Sequence, residues 1–190
     1  MVKLSTKLIL TSILCVFTLS ANALEIKGVK VEETAQVGDS ALVLNGAGMR
    51  VKLVFKVYVA GLYLTQKLSE ANAIINDAGN KRISMHFLRN VDAEALLDGM
   101  NDGFTDNNSK SDMAAIEPQM KAFRQMMTSA KQVKESDEIV LDLTSAGTQV
   151  SLNGKSLGNI DGEAFNRALL RVWLGSKPVD APLKKALLGQ

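Results

Sequence analysis

Leu44-Asn45-Gly46-Ala47-Gly48-Met49-Arg50, followed by Val51-Lys-Leu-Val-Phe-Lys-Val-Tyr-Val-Ala-Gly-Leu-Tyr-Leu64, decides how this chain is read. Gly46 and Gly48 let the backbone take a positive φ or approach a neighbour closely. They predict a turn, with Arg50 at the mouth of a β-rich segment. Arg50 to Leu64 is β-branched and aromatic, with charges only in its first half. That composition predicts one long strand entering a core. A guanidinium fixed at the edge of an apolar sheet suits an anion, because its planar fork can meet a carboxylate with two hydrogen bonds.

Upstream, Lys3 and Lys7 precede an apolar run from Leu8 to Leu19, and Ala21-Asn22-Ala23 has the small-x-small form of a cleavage site. Residues 1–23 are expected to be a secretory signal peptide, with residues 24–190 as one domain and a periplasmic destination. The apolar run is short for a membrane span, so no integral membrane protein is expected once it is cleaved. Cys15, the only cysteine, follows Leu14 rather than a small residue and lies in the leader. The mature domain therefore has no disulfide, and its length allows a core that needs none. Lys3 and Lys7 are two of the 22 basic residues, so the remainder carries 20 basic and 20 acidic groups. A balanced charge offers no bulk attraction for nucleic acid or for an anionic membrane.

Downstream, the pattern alternates strands and helices. Glu25 to Glu33 predicts an edge strand and Ala41 to Leu44 a short second one. Ser69 is placed as the cap of a helix reaching Asp77. Arg82 to Leu88 alternates, with Ile83, Met85 and Phe87 on one face and Ser84 and His86 on the other. Asp92 is expected to cap a helix with Leu96, Met100 and Phe104 inward, and Thr105 to Asp112 to be a loop. From Ser111, residues Met113, Ile116, Met120, Phe123, Met127 and Ala130 form one apolar stripe, broken or restarted at Pro118. The stripe predicts core, and its methionines also suit an adaptable cleft wall. A strand from Ile139 to Leu143 turns at Ser145-Ala146-Gly147 and returns to Leu152, where Asn153-Gly154 turns again. Asp161 is placed as the cap of a helix with Phe165, Leu169 and Val172 inward, and Asp180 opens a last short helix.

Four blocks in order resemble the chalcone isomerase-like family. They are Leu44 to Arg50 with Lys56 to Leu64, then His86-Phe-Leu-Arg-Asn-Val91, Val172-Trp-Leu-Gly175, and Pro178 to Leu188. The similarity covers nearly all of residues 24–190, and the exported bacterial subgroup is the one it resembles. The resemblance implies an α+β fold, an open-faced β-sandwich with a large antiparallel sheet, helices on one face and a ligand cleft between. In plant chalcone isomerases the matching Arg holds a substrate oxyanion, helped by two Thr, a Tyr and an Asn. Related fatty-acid-binding members use the Arg, with a Tyr, to hold a carboxylate. Arg50 matches. Tyr58 stands at the first Thr position and Val172 at the second, and no Tyr lies between Asn107 and Met113. These departures remove hydroxyls that a reacting oxyanion would need.

The site candidates are therefore Arg50, Tyr58 and Trp173 as ligand-binding residues, with no catalytic residue, metal or cofactor assigned. On a straight strand Tyr58 would stand about 26 Å from Arg50 and line the far end of an elongated cleft. Trp173, between Val172 and Leu174, also suits helix-end core. His86, the only histidine, faces away from the apolar side of its strand, as most solvated histidines do. Gly154-Lys-Ser156-Leu-Gly158 mimics a hydrolase elbow but follows a hairpin turn, out of that motif's context. One histidine and no mature cysteine leave transition metals without their usual ligands. Three function classes remain. They are a carrier of a small amphipathic anion such as a fatty acid, an isomerase or lyase acting on a conjugated carbonyl, and a structural or partner-binding module.

Overall fold

The computed structural model describes residues 24–129 and 131–190. The elements in order are β1 (Leu24–Ile26), β2 (Val29–Val31), β3 (Thr34–Val37), β4 (Ser40–Lys52), β5 (Phe55–Leu64), α1 (Ala71–Asn76), β6 (Lys81–Phe87), β7 (Val91–Asp92), α2 (Ala93–Asn107), α3 (Lys110–Ala115), α4 (Glu117–Thr128), β8 (Gln132–Val133), β9 (Glu138–Thr144), β10 (Gly147–Leu152), β11 (Lys155–Ile160), α5 (Glu163–Leu174) and α6 (Ala181–Leu187). Seven strands form one antiparallel sheet in the order β11-β10-β9-β6-β5-β4-β3, and β1-β2 and β7-β8 are small separate ladders. The helices pack on one face of the large curled sheet, so the fold is the α+β architecture that the resemblance implied.

The long strand expected from Arg50 to Leu64 is a hairpin instead. β4 runs through the Gly-Ala-Gly segment and ends at Lys52, Leu53 and Val54 turn the chain, and β5 returns antiparallel. Leu53 takes a positive φ of 59°, which its side chain does not announce. The edge strand expected over Glu25 to Glu33 is likewise split by a turn at Lys27 and Gly28, both at positive φ.

β5 is buried along Val57 to Leu64 because both of its faces are covered. Tyr58, Ala60, Leu62 and Leu64 enter the main core against the helices, with Phe104, Phe165 and Trp173. Val59 and Tyr63 join Val31, Val37 and Leu42 in a smaller core on the opposite face. Each large side chain so buried contributes about 1.5–3 kcal/mol. In β6, Ile83, Met85 and Phe87 are buried and Arg82 turns away to meet Asp142 at 2.6 and 2.7 Å.

Helix boundaries move by a few residues from the sequence pattern. α2 continues to Asn107, and a new turn starts at Ser109, whose capping box with Asp112 replaces the expected start at Ser111. α4 begins at Glu117 with Pro118 in its first turn, where a missing N–H costs nothing. Ile116, Phe123 and Met127 of the stripe are buried, while Ala130 lies outside the described residues. Gly162, not Asp161, stands at the N-terminus of α5, and Glu70, not Ser69, at that of α1. Among the described residues no helix is long and apolar enough to cross a membrane. The expected leader, residues 1–23, lies outside them.

Candidate functional site

Arg50 is placed by irregularities in the β4–β5 ladder and by α6. The register shifts between Leu44 and Gly46, and again between Arg50 and Val51. Such bulges bend a strand and re-aim its side chains. The first leaves Asn45 buried, with its Nδ2 donating to the Leu187 carbonyl at 2.8 Å and its Oδ1 accepting from the Leu68 N–H at 2.7 Å. Beyond the second, the Val51 N–H donates to Asp180 Oδ2 at 2.8 Å, while Asp180 Oδ1 caps α6 by accepting from Leu183. α6 is thereby pinned at both ends of the Gly46–Arg50 segment. Gly46 and Gly48 are glycines for that reason. A Cβ on Gly46 would lie 2.0 Å from the Ala186 carbonyl oxygen, and one on Gly48 would lie 2.6 Å from Ala186 Cβ. Close approach, and not the turn expected from Gly-Ala-Gly, is what these positions require.

Arg50 stands directly opposite Tyr58 in the ladder. Its side chain is largely buried, and its guanidinium carbon lies 5.6 Å from the centroid of the Tyr58 ring. On the other side Gly99 of α2 borders the guanidinium, and a Cβ there would meet Arg50 Nη2 in an ordinary contact at 3.5 Å. Arg50 Nε is buried without a hydrogen-bond partner, and among the described residues no carboxylate lies within salt-bridge distance of the guanidinium. A nearly buried cation without a counter-ion is costly, and a bound anion would offset that cost.

Tyr58 is fully enclosed, and its hydroxyl accepts a hydrogen bond from Trp173 Nε1 at 2.9 Å. The Phe87 ring lies 5.5 Å from it, centroid to centroid. Burial pushes the Tyr58 phenol up from its ordinary value, while the Arg50 charge and the Trp173 hydrogen bond pull the other way. The three expected ligand-binding residues thus come together in a row, Trp173 hydrogen-bonded to the Tyr58 hydroxyl and the Tyr58 ring beside Arg50. The expectation that Tyr58 lines a distant end of the cleft is corrected, because the chain turns between the two residues.

The cleft itself encloses about 380 Å³ and lies between the β4–β5 hairpin, the loop before β7 and the start of α2. That volume is near the lower end for small-molecule sites, roughly 300–1,000 Å³. Leu53, Phe55, Val57, Val91 and Leu96 supply apolar wall, and Arg50, Lys52 and Arg89 supply positive charge against the single carboxylate of Asp92. The Arg89 guanidinium sits 4.5 Å over the Phe55 ring. Tyr58 and Trp173 do not line this space. They fix the guanidinium from behind. The methionine-bearing stripe packs in the core instead of forming a cleft wall. Arg89 and Phe55 were not singled out from the sequence, although Arg89 sits inside one of the four resembling blocks, and Gly99 was expected only as an inward position of its helix.

The other polar candidates face elsewhere. His86 Nε2 meets Glu138 Oε1 at 3.1 Å on the sheet face opposite Tyr58, and this hydrogen bond holds the Glu138 carboxyl below its ordinary range. Asn107 bonds to Gly103 and Lys177, and Asn108 to Phe104 and Ala168, so both close the end of α2. Val172 is buried.

A family model described as chalcone isomerase-like matches residues 23–189. No curated protein matches the chain. Among solved structures, a fatty-acid binding protein of Arabidopsis thaliana superposes with a TM-score of 0.64 at 15% identity, over 85% of this chain and 92% of that one. At that identity the likeness speaks to the fold, and it agrees with the sheet and one-sided helix layer described above. With the family model spanning all but the last of the described residues, this chain belongs to the chalcone isomerase-like family.

Proposed function

We propose that this protein is a non-catalytic binding protein for a small amphipathic anion of fatty-acid type. The observation that carries this reading is Arg50, a nearly buried cation with no carboxylate partner among the described residues, opening on a cleft with an apolar wall. A carboxylate on the guanidinium would supply the missing counter-ion, and Leu53, Phe55, Val57 and Leu96 would take the first part of an acyl chain. The fatty-acid binding protein of the same fold supports the same choice of ligand. Ring closure of a conjugated carbonyl would need groups that position and protonate the substrate. Val172 has no hydroxyl, and Asn107 and Asn108 are held at the end of α2. The basic start, apolar run and Ala21-Asn22-Ala23 support export to the periplasm, with Leu24 as the first mature residue.

Titration with fatty acids and with their methyl esters tests the ligand. Acids should bind and esters should bind at least tenfold more weakly, since an ester brings no charge to Arg50. Equal affinities would overturn the anion site. Intact mass of the periplasmic protein should begin at Leu24, and a full-length cytosolic product would overturn export.

A further inference from the structure

The β4–β5 turn departs from ordinary turn chemistry. Two-residue hairpin connections place Gly or Asn where φ is positive. Here Leu53 takes that position, followed by Val54, and the two are 88% and 82% exposed. Phe55 is 51% exposed beside them. A bulky side chain in the left-handed region is disfavoured, and these side chains return little of that cost through core burial. Lys52 and Lys56, both exposed, bracket the turn, and Arg89 stands over the Phe55 ring. Asp92 is the one carboxylate in the cleft lining, and Asp180 is committed to the Val51 and Leu183 N–H groups. The tip is therefore a convex apolar wedge within a basic collar.

We propose that this hairpin tip inserts shallowly into a bilayer bearing anionic lipid and exchanges the acyl ligand between bilayer and cleft. The exchange step rests on the binding function proposed above, whereas the membrane contact does not. Apolar side chains at the level of the headgroups, with cations directed at anionic lipid, are how proteins lie on a membrane surface. Lysine is depleted at the centres of protein–protein interfaces, which weighs against a protein groove as the partner. Lys52, Leu53 and Phe55 belong both to the tip and to the cleft wall, so the cleft mouth would open at the membrane surface.

The test is flotation of the protein, processed as its cell processes it and stripped of bound lipid, with phosphatidylcholine vesicles with and without phosphatidylglycerol. Val54 and Lys56 lie outside the cleft lining. Wild type should bind the anionic vesicles more tightly, and added salt should weaken the binding. Lys56→Gln should lose roughly fivefold, the effect of one cation near an anionic surface. Val54→Asp should lose about tenfold or more, because a carboxylate is driven out of the apolar layer. Both variants should keep wild-type affinity for fatty acid in solution. Leu53→Gly should lower vesicle binding while leaving the fold at least as stable, since glycine suits the turn.

Wild type that ignores both vesicle types, or variants that float like wild type, would overturn the membrane tip whatever the fatty-acid titrations give. Self-association that Val54→Asp abolishes, without vesicle binding, would also overturn it and assign the tip to a second copy of the chain. Vesicle binding that matches these expectations in a protein with no affinity for fatty acid would uphold the membrane contact and remove the exchange step.

Discussion

Arg50 and Tyr58 face each other across the β4–β5 ladder, with the guanidinium 5.6 Å from the ring centroid and Trp173 bonded to the phenol from behind. Each member of this row constrains the next. Trp173 is fixed by burial in α5, its N–H fixes the Tyr58 hydroxyl, and the ring supports the cation from the core side. A charge attracted to an aromatic face keeps its direction without a counter-ion of its own. The cation's free side then faces the cleft. The geometry gives a rigid point charge at the end of a small apolar space, which suits the head group of an amphipathic anion.

Removal of that charge gives the first prediction. Arg50→Ala should weaken fatty-acid binding by at least about 25-fold, the lower end of the roughly 2–5 kcal/mol typical for truncating one partner of a desolvated charge pair. Arg50→Lys should recover only part of the loss, because an ammonium cannot make the planar two-point contact. Calorimetric titration of the three proteins, with circular dichroism as the check on fold, measures this. Equal affinities would take Arg50 out of the site.

The second prediction separates support from contact. Tyr58→Phe keeps the ring beside Arg50 but leaves Trp173 Nε1 buried with no acceptor. An unsatisfied buried donor costs about 1–3 kcal/mol, so the urea midpoint should fall. Trp173 is the only tryptophan, so its fluorescence follows the change directly. Ligand affinity should change far less than in Arg50→Ala, because the hydroxyl does not line the cleft. An affinity loss equal to that of Arg50→Ala with an unchanged midpoint would mean that the phenol touches the ligand.

The sheet and the one-sided helix layer were legible because they rest on patterning and on one recognisable run of residues, the run that also holds Arg50. The contact between Arg50 and Tyr58 was not. It depends on a turn at Leu53 and Val54, and the residues there carry strand preference rather than a Gly, Asn or Asp signal. Without that turn, the two residues part by the length of a strand. With it, they become partners. Asn45 was missed for a related reason. Its value lies in a bulge that lets one side chain serve both α6 and the backbone before α1, and a bulge has no sequence mark here. Gly46 and Gly48 announced a constraint, but only the position of α6 shows which one.

The third prediction concerns alkaline pH. Burial raises the phenols of both tyrosines, Tyr58 and Tyr63, above the ordinary value of 10.0. An unfolded chain ionises them near that value while the folded chain holds them neutral. Their stabilising effect is therefore complete below about pH 10 and is lost as pH rises toward the folded values. Phenolate absorbance should lag behind the titration of free tyrosine and then appear together with loss of the circular dichroism signal. Tyr58→Phe should shrink the alkaline loss of stability. Free-tyrosine titration in a chain that remains folded would refute the burial argument.

The fourth prediction tests whether α6 dictates the glycines beside Arg50. Gly48→Ala places a Cβ 2.6 Å from Ala186 Cβ and 3.2 Å from Leu183 Cδ1, so α6 must shift or the strand must yield. Overpacking of this kind costs typically about 1–3 kcal/mol. Ala186→Gly alone should cost about 1 kcal/mol through helix propensity. The two together should cost less than their sum by about 1 kcal/mol or more, because the second substitution removes the atom that the first one strikes. Gly46→Ala should behave differently. Its Cβ would meet the Ala186 carbonyl oxygen at 2.0 Å, and no side-chain change removes a backbone atom. Ala186→Gly should therefore fail to rescue it. Urea denaturation of the five variants provides the cycle. Strict additivity for Gly48 and Ala186 would show that the helix does not hold this position, and the placement of Arg50 would then have to come from the strand irregularities alone.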